Sequence, residues 1–449
     1  MNGQALENPF SLPFRISIMI LVALMAAALL SVISPLLLLA VLGGIALLCI
    51  PIRWPIATLG VVLAFMPVDF MAIGLGKLFE LPHMTLVSVC TKEIPLFLLL
   101  VILYRRSGFK PTAPDWWLLA AFGVATLRTL VDGTFFALWT DFNFILPYFL
   151  GRVTILTQAQ EQLWARCAVW IAAVLSMLGL FEVFLFGEGP RTVLYTALDT
   201  LGTENGVLTA SFHGSGFKGL REAATMVGPN SFGVLCMVAL ILWWVYCRNP
   251  LPAAMVVTGL ICTVTRADWL ATAAALLVLA VITSQRKRLI LYATLALVLF
   301  VCSIPILGLS DYLFYTKTGQ DLSAEYHQQG IVDGLLYAAE HPLGAGNEKL
   351  SPLALLKDRN ALIFETTYPY FAAEYGIPAA LCFVGFLLSG FRSVWRKQDR
   401  LAYAAVGILI GISVVMIFTL PLNDRRLACW VFFPVGLAIR ARSGGEING

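Results

Sequence analysis

The sequence predicts an all-α fold: a polytopic membrane bundle of 12–14 transmembrane helices with two extracytoplasmic loops, the second holding a short amphipathic helix. Composition is the first reason. Of 449 residues, 59% are apolar and 12% charged, where a soluble domain carries nearer a quarter charged. Mean hydropathy is +0.85. Too few charged groups are present to cover a soluble globule of this size, so lipid must be part of the solvent. That excludes a large soluble enzyme on a membrane tether. The net charge of +4 says little about partners and gives no ground for a nucleic-acid one.

The second reason is the succession of apolar runs, at about 16–33, 35–51, 55–73, 85–104, 116–132, 135–151, 167–186, 229–247, 251–265, 267–284, 289–308, 366–390, 401–420 and 427–440. Most approach the ~20 residues that cross a bilayer as a helix, and residues 1–440 read as one integral membrane domain. Segment 16–33 lacks a small-residue cleavage site and is the first of many similar runs, so no cleavable signal peptide is expected. The nine cysteines lie in or beside apolar runs with no close CxxC pair. They read as small apolar residues, neither disulfides nor metal ligands.

The third reason is charge placement. Arg105, Arg106 and Lys110 follow the fourth run, Arg286, Lys287 and Arg288 the tenth, and Arg392, Arg396, Lys397 and Arg400 the twelfth. The positive-inside tendency puts these on the cytoplasmic side, with Arg440, Arg442 and both termini. The long polar segments 187–228 and 309–365 then lie together outside, which points to a site on that face. In the second, Ser323 is placed to cap a helix whose Ile331, Leu335 and Ala339 recur every four residues, with Val332 and Leu336 alongside. It stops at His341-Pro342. Gly344 and Gly346 follow and allow a tight turn whose N–H groups can face an anion, or simply end the helix.

A few polar residues are costly unless used. Arg266 stands between two apolar runs on the predicted outer face, where orientation does not explain it. It suits bidentate phosphate binding; the structural alternative is a snorkelling arginine paired with Asp268. Arg221, Arg191 and Lys218 share the first loop and with Arg266 would make a cationic pocket for a diphosphate; the alternative, preferred for Arg191 and Lys218, is an ordinary loop charge. Glu365 opens the twelfth run and is the first candidate general base, its alternative role being helix-terminus stabilisation. His327, on the loop helix, is the second candidate base; His341, His83 and His213 carry less. Lys92, Glu93, Asp69, Asp141, Glu182 and Glu374 are expensive in lipid but scattered without a repeat between halves, so a transporter is a secondary reading. Walker, HExxH, GxSxG and DxD patterns are absent, which leaves ATP-driven transport, zinc proteolysis and metal-dependent sugar-nucleotide transfer without support.

The combination resembles the O-antigen ligase/polysaccharide polymerase superfamily. Four pieces carry the resemblance, in the family's order across residues 120–440: Gly228-Pro229-Asn230-Ser231-Phe232-Gly233 after Arg221; Thr263-Val264-Thr265-Arg266-Ala267-Asp268; the loop with Ser323-Ala324-Glu325-Tyr326-His327 ending in His341-Pro342-Leu343-Gly344-Ala345-Gly346; and Glu365-Thr366-Thr367-Tyr368 leading to Ala373-Glu374-Tyr375-Gly376-Ile377-Pro378. The resemblance implies a metal-independent glycosyltransferase with no cofactor, acting in the bacterial inner membrane on undecaprenyl-diphosphate-linked oligosaccharides as donor and acceptor. A chain-length regulator and a flippase are the protein partners it implies. Ligases generally carry a histidine where this chain has Glu365-Thr366-Thr367. A repeat-unit polymerase for exopolysaccharide, capsule or O-antigen is therefore preferred, with a ligase as the alternative.

Overall fold

The computed structural model describes residues 54–69, 73, 84–186, most of 221–285, isolated positions in 290–304, 322–346, 350, and 364–440 apart from 365. The expected spans 16–33 and 35–51, most of both long loops, and Arg286, Lys287, Arg288 and Arg442 lie outside the described residues.

Among the described residues all regular structure is helical. In chain order the helices are α1 (Pro55–Phe65), α2 (Met84–Ser107), α3 (Ala113–Asp132), α4 (Phe135–Asp141), α5 (Ile145–Val153), α6 (Gln158–Phe181), α7 (Pro229–Tyr246), α8 (Pro250–Cys262), α9 (Arg266–Ile282), α10 (Leu322–Glu340), α11 (Thr367–Tyr375), α12 (Ile377–Trp395), α13 (Arg400–Phe418) and α14 (Arg425–Ile439). Four segments are long and apolar enough to cross a membrane on their own: Gln158–Leu185, Pro229–Tyr246, Ile377–Trp395 and Arg400–Phe418. The fold is thus an all-α polytopic membrane bundle. Two expected spans are broken. The run at 135–151 is α4 and α5 joined by a turn at 142–144, and the run at 366–390 is α11 and α12 joined at Gly376. Glycine with Pro378 two residues on explains the second break, because Gly376 adopts φ +94°, where an L side chain is strained.

Burial separates a centre from a lipid-facing rim. Helix α7 is buried over 83% of its length, and Leu427 through Ile439 of α14 are buried without interruption. A helix apolar all round belongs inside. Around these two, Leu127, Leu130, Val131, Leu163, Leu381 and Leu388 face outward, as lipid contact requires. No disulfide joins any of the six described cysteines.

One end of the bundle gathers the basic loops. Arg152 of α5 donates to Asp115 of α3 at 2.7 and 2.8 Å, with both side chains buried. Tyr148 donates to the same carboxylate at 2.8 Å. Lys397 donates to the last carbonyls of α14, at 2.6 Å to Ala438 and 2.8 Å to Arg440. Arg440 donates to Thr154 at 2.7 Å and to Ser107 at 3.2 Å. The Lys397 and Arg440 bonds satisfy helix-end carbonyls that have no partner within their own helices.

Candidate active site at the opposite end

Helix register places the site. Space for a Cβ at Gly407 of α13 is filled by Ile241 of α7 and Leu279 of α9, and at Gly411 by Met237 of α7. Helix α13 therefore runs antiparallel to α7, and α9 runs parallel to α7, since Gly233 meets Asp268 and Trp244 donates to Thr283 at 3.5 Å. Because every helix rises equally per residue, following α13 to its end at Thr419 brings it level with Pro229, where α7 starts, and with Ala267, where α9 starts. Thr367 donates to the Thr419 carbonyl at 2.7 Å. The start of α11 thus joins the starts of α7 and α9 at the end remote from the basic loops.

The turn between α8 and α9 is strained and braced. Val264 adopts φ +53°, an outlier for a β-branched residue, and is buried. Such conformations cost about 1–3 kcal/mol and persist where surroundings enforce them. Here Arg221 Nε donates to the Thr263 carbonyl at 2.9 Å. The Thr263 and Thr265 hydroxyls lie 2.6 Å apart, and Val264 N–H donates to Ile261 at 3.1 Å. Arg221 also donates to the Asn230 side chain at 3.2 Å. Half-buried Arg266 opens α9 directly after this turn. Two of the quoted sequence pieces are therefore one structural unit. Asp268 lies beneath it, fully buried, and its carboxylate occupies the space where a side chain at Gly233 would stand.

The second loop docks on the third and fourth pieces. Gly334 of α10 packs on Pro369 and Phe364, and Tyr337 packs on Phe364 with ring centroids 5.8 Å apart. His327 is half-buried two turns earlier on the same helix. The apolar edge of this amphipathic helix, Val332, Leu335, Leu336 and Ala339, is exposed, while Gly334 and Ala338 are buried against the protein. The helix also begins at Leu322, so Ser323 lies inside it and not at its cap. Past His341 the chain is fastened by backbone: Ala345 N–H to Ala373 at 2.8 Å, Gly346 N–H to Glu374 at 3.0 Å, and Ile377 N–H to Pro342 at 3.0 Å. Arg128 Nε donates to the Gly344 carbonyl at 2.9 Å. Gly344 and Gly346 do shape a turn, at φ +87° and +91°, and the Gly346 N–H is taken by the chain itself.

Other intramembrane acids are accounted for. Glu93 pairs with Arg425 at 2.8 Å and Asp69 with Arg426 at 3.5 Å. Asp141 and Glu374, expected to stand apart, are brought together. Asp141 accepts from Tyr370 at 3.0 Å and Tyr375 at 2.6 Å, and Glu374 interacts electrostatically with it. Arg191 and Glu365 lie outside the described residues. Sequence reasoning missed Arg128, Asn230 and Thr367. For Arg128 a signal existed, since an arginine far from the basic end of its span is the same anomaly that singled out Arg266.

Fold and site together describe a polytopic membrane protein with arginines clustered at one end of its bundle. Residues 251–384 match the family model described as O-Antigen ligase. The match supports the O-antigen ligase/polysaccharide polymerase superfamily and, with it, polysaccharide-related glycosyl transfer on lipid-linked glycans; it does not separate polymerase from ligase. The matched segment contains Arg266, His327, the 341–346 turn and Thr367, while Arg221 precedes it. No curated protein matches the chain.

Proposed function

We propose that the protein is a repeat-unit polymerase that joins undecaprenyl-diphosphate-linked oligosaccharides at the extracytoplasmic face of the bacterial inner membrane. The observation that carries this reading is the strained Thr263-Val264-Thr265 turn braced by Arg221, which delivers Arg266 to the arginine-bearing end. Strain maintained at a charged turn is a mark of a functional site. Two guanidiniums suit a diphosphate, which they can bind bidentately.

In the reaction an acceptor sugar hydroxyl attacks the donor's anomeric carbon. The bond from that carbon to the diphosphate oxygen breaks, lipid diphosphate leaves, and the acceptor proton passes to a base. Arg266 and Arg221 stabilise charge as it grows on the leaving oxygen, with Arg191 assigned to the same group from its place in the first loop. Glu365 is the first choice of base and His327 the second. Single displacement inverts the anomeric configuration. The lack of a histidine at 365–367 favours polymerase over ligase.

The test is transfer by the purified full-length protein from lipid-linked repeats, with chain length read on gels. Arg266→Ala should lower the rate roughly 10²–10³-fold, the loss expected for one well-placed transition-state contact. Glu365→Gln should abolish long chains while the protein stays in the membrane. Normal polymer from both variants would overturn the site. Polymer left on undecaprenyl diphosphate in a deletion strain would indicate a ligase. Substrate-dependent flux in vesicles without new glycosidic bonds would indicate a transporter.

A further inference from the structure

Asp268 has a structural explanation that falls short. It lies in the first turn of α9, where a carboxylate favours the positive end of the helix dipole. A carboxylate with that role alone gains nothing from being sealed away from solvent. Asp268 is fully buried, and among the described residues neither of its oxygens meets a hydrogen-bond partner. Burying such a group is expensive, and each native instance calls for a reason. Thr265 stands three residues before Asp268 at the head of the same helix, and Gly233, which faces that carboxylate, lies one turn beyond the Asn230 that Arg221 contacts. Its room exists because residue 233 is glycine: a Cβ there would collide with the carboxylate.

We infer that Asp268 is a positioning residue that holds the Thr265 hydroxyl and the Arg221 guanidinium in register for a diphosphate, with Gly233 as its seat. This rests on the diphosphate reading above. Arg221 is tied to the Thr263 carbonyl and to Asn230, and the Thr263 hydroxyl to that of Thr265. Asp268 therefore stands beside both ends of one short chain of contacts.

The experiment uses the full-length protein in detergent with inorganic pyrophosphate as probe. Two readouts serve: pyrophosphate-dependent thermal stabilisation, and competitive inhibition of transfer from lipid-linked repeats. Asp268→Asn keeps the shape and removes the charge. It should raise the pyrophosphate concentration for half-effect roughly tenfold, the change that loss of one modest contact produces. In combination with Arg221→Ala it should add nothing to the Arg221→Ala defect, because the two act through one contact. Where Asp268→Asn does not fold, Thr265→Val carries the test with the same expected shift, and Thr265→Ser should restore binding. An unchanged half-effect concentration, or defects that add, would overturn the inference. If Arg221→Ala itself keeps the wild-type pyrophosphate response, the diphosphate reading has failed and the inference with it. If Arg221→Ala loses the response while Asp268→Asn keeps it, the inference alone has failed.

Discussion

Gly344 and Gly376 stand face to face, and each leaves the space the other's backbone fills. A Cβ on Gly344 would lie 2.7 Å from Gly376 N and Tyr375 C, and one on Gly376 would lie 2.7 Å from Leu343 C. Both have φ near +90°. Gly344→Ala therefore meets left-handed strain of about 1–2 kcal/mol plus contacts with backbone that has nowhere to go. It should lower the unfolding temperature of the detergent-solubilised protein, with a total loss of roughly 2–4 kcal/mol. A substitution at exposed Leu343 should leave that temperature unchanged. Gly344 was legible in the sequence as a turn former. Its partner was not, because their contact links positions far apart in the chain and a single sequence has no period that relates them. Asp268 was legible as a neighbour of Arg266; its seat at Gly233 was not, for the same reason.

At the scale of elements, hydropathy located α10 and its apolar edge but did not tell which face touches protein. Periodicity finds an apolar edge, yet lipid and protein both cover apolar edges. In a bundle without a hydrophobic drive between helices, small residues are what let backbones approach. Gly334 and Ala338 follow that rule, while Leu335 and Leu336 face outward. Gly334→Leu should collide with Pro369 and Phe364 and lift α10 from α11. The expected result is faster proteolysis within 322–346 in membranes and a loss of transfer of at least about tenfold, by displacement of a site-bearing element. Leu335→Ser should leave the α10–α11 contact intact in the same protease assay. The broken spans were half legible. Gly376 with Pro378 announced a stop; in the apolar run 135–151 the turn at 142–144, whose phenylalanines are as buried as a helix core, was marked more weakly, by Asp141 and Asn143.

The whole molecule has two chemically distinct ends. One binds helix termini together with Arg152, Lys397 and Arg440; the other carries Arg221 and Arg266. That division was legible from the basic loops, since the positive-inside tendency acts on composition and needs no contact information. An impermeant maleimide should label Gln398→Cys in inside-out vesicles and Leu343→Cys in right-side-out ones. The reverse pattern would invert the topology. The basic end also holds the buried Arg152–Asp115 pair. Arg152→Ala would strand the Asp115 charge and should cost about 3–5 kcal/mol, read as loss of folded protein on extraction.

The seam between residues 341–346 and the α11–α12 junction is stitched by main-chain groups at Pro342, Ala345, Gly346, Ala373, Glu374 and Ile377. Main-chain hydrogen bonds do not depend on which side chain a residue bears. The joint is thus indifferent to identity at positions such as 342 and 345 and intolerant at 344 and 376. The rest of this segment can be rewritten without disturbing the joint, provided those two positions stay without side chains.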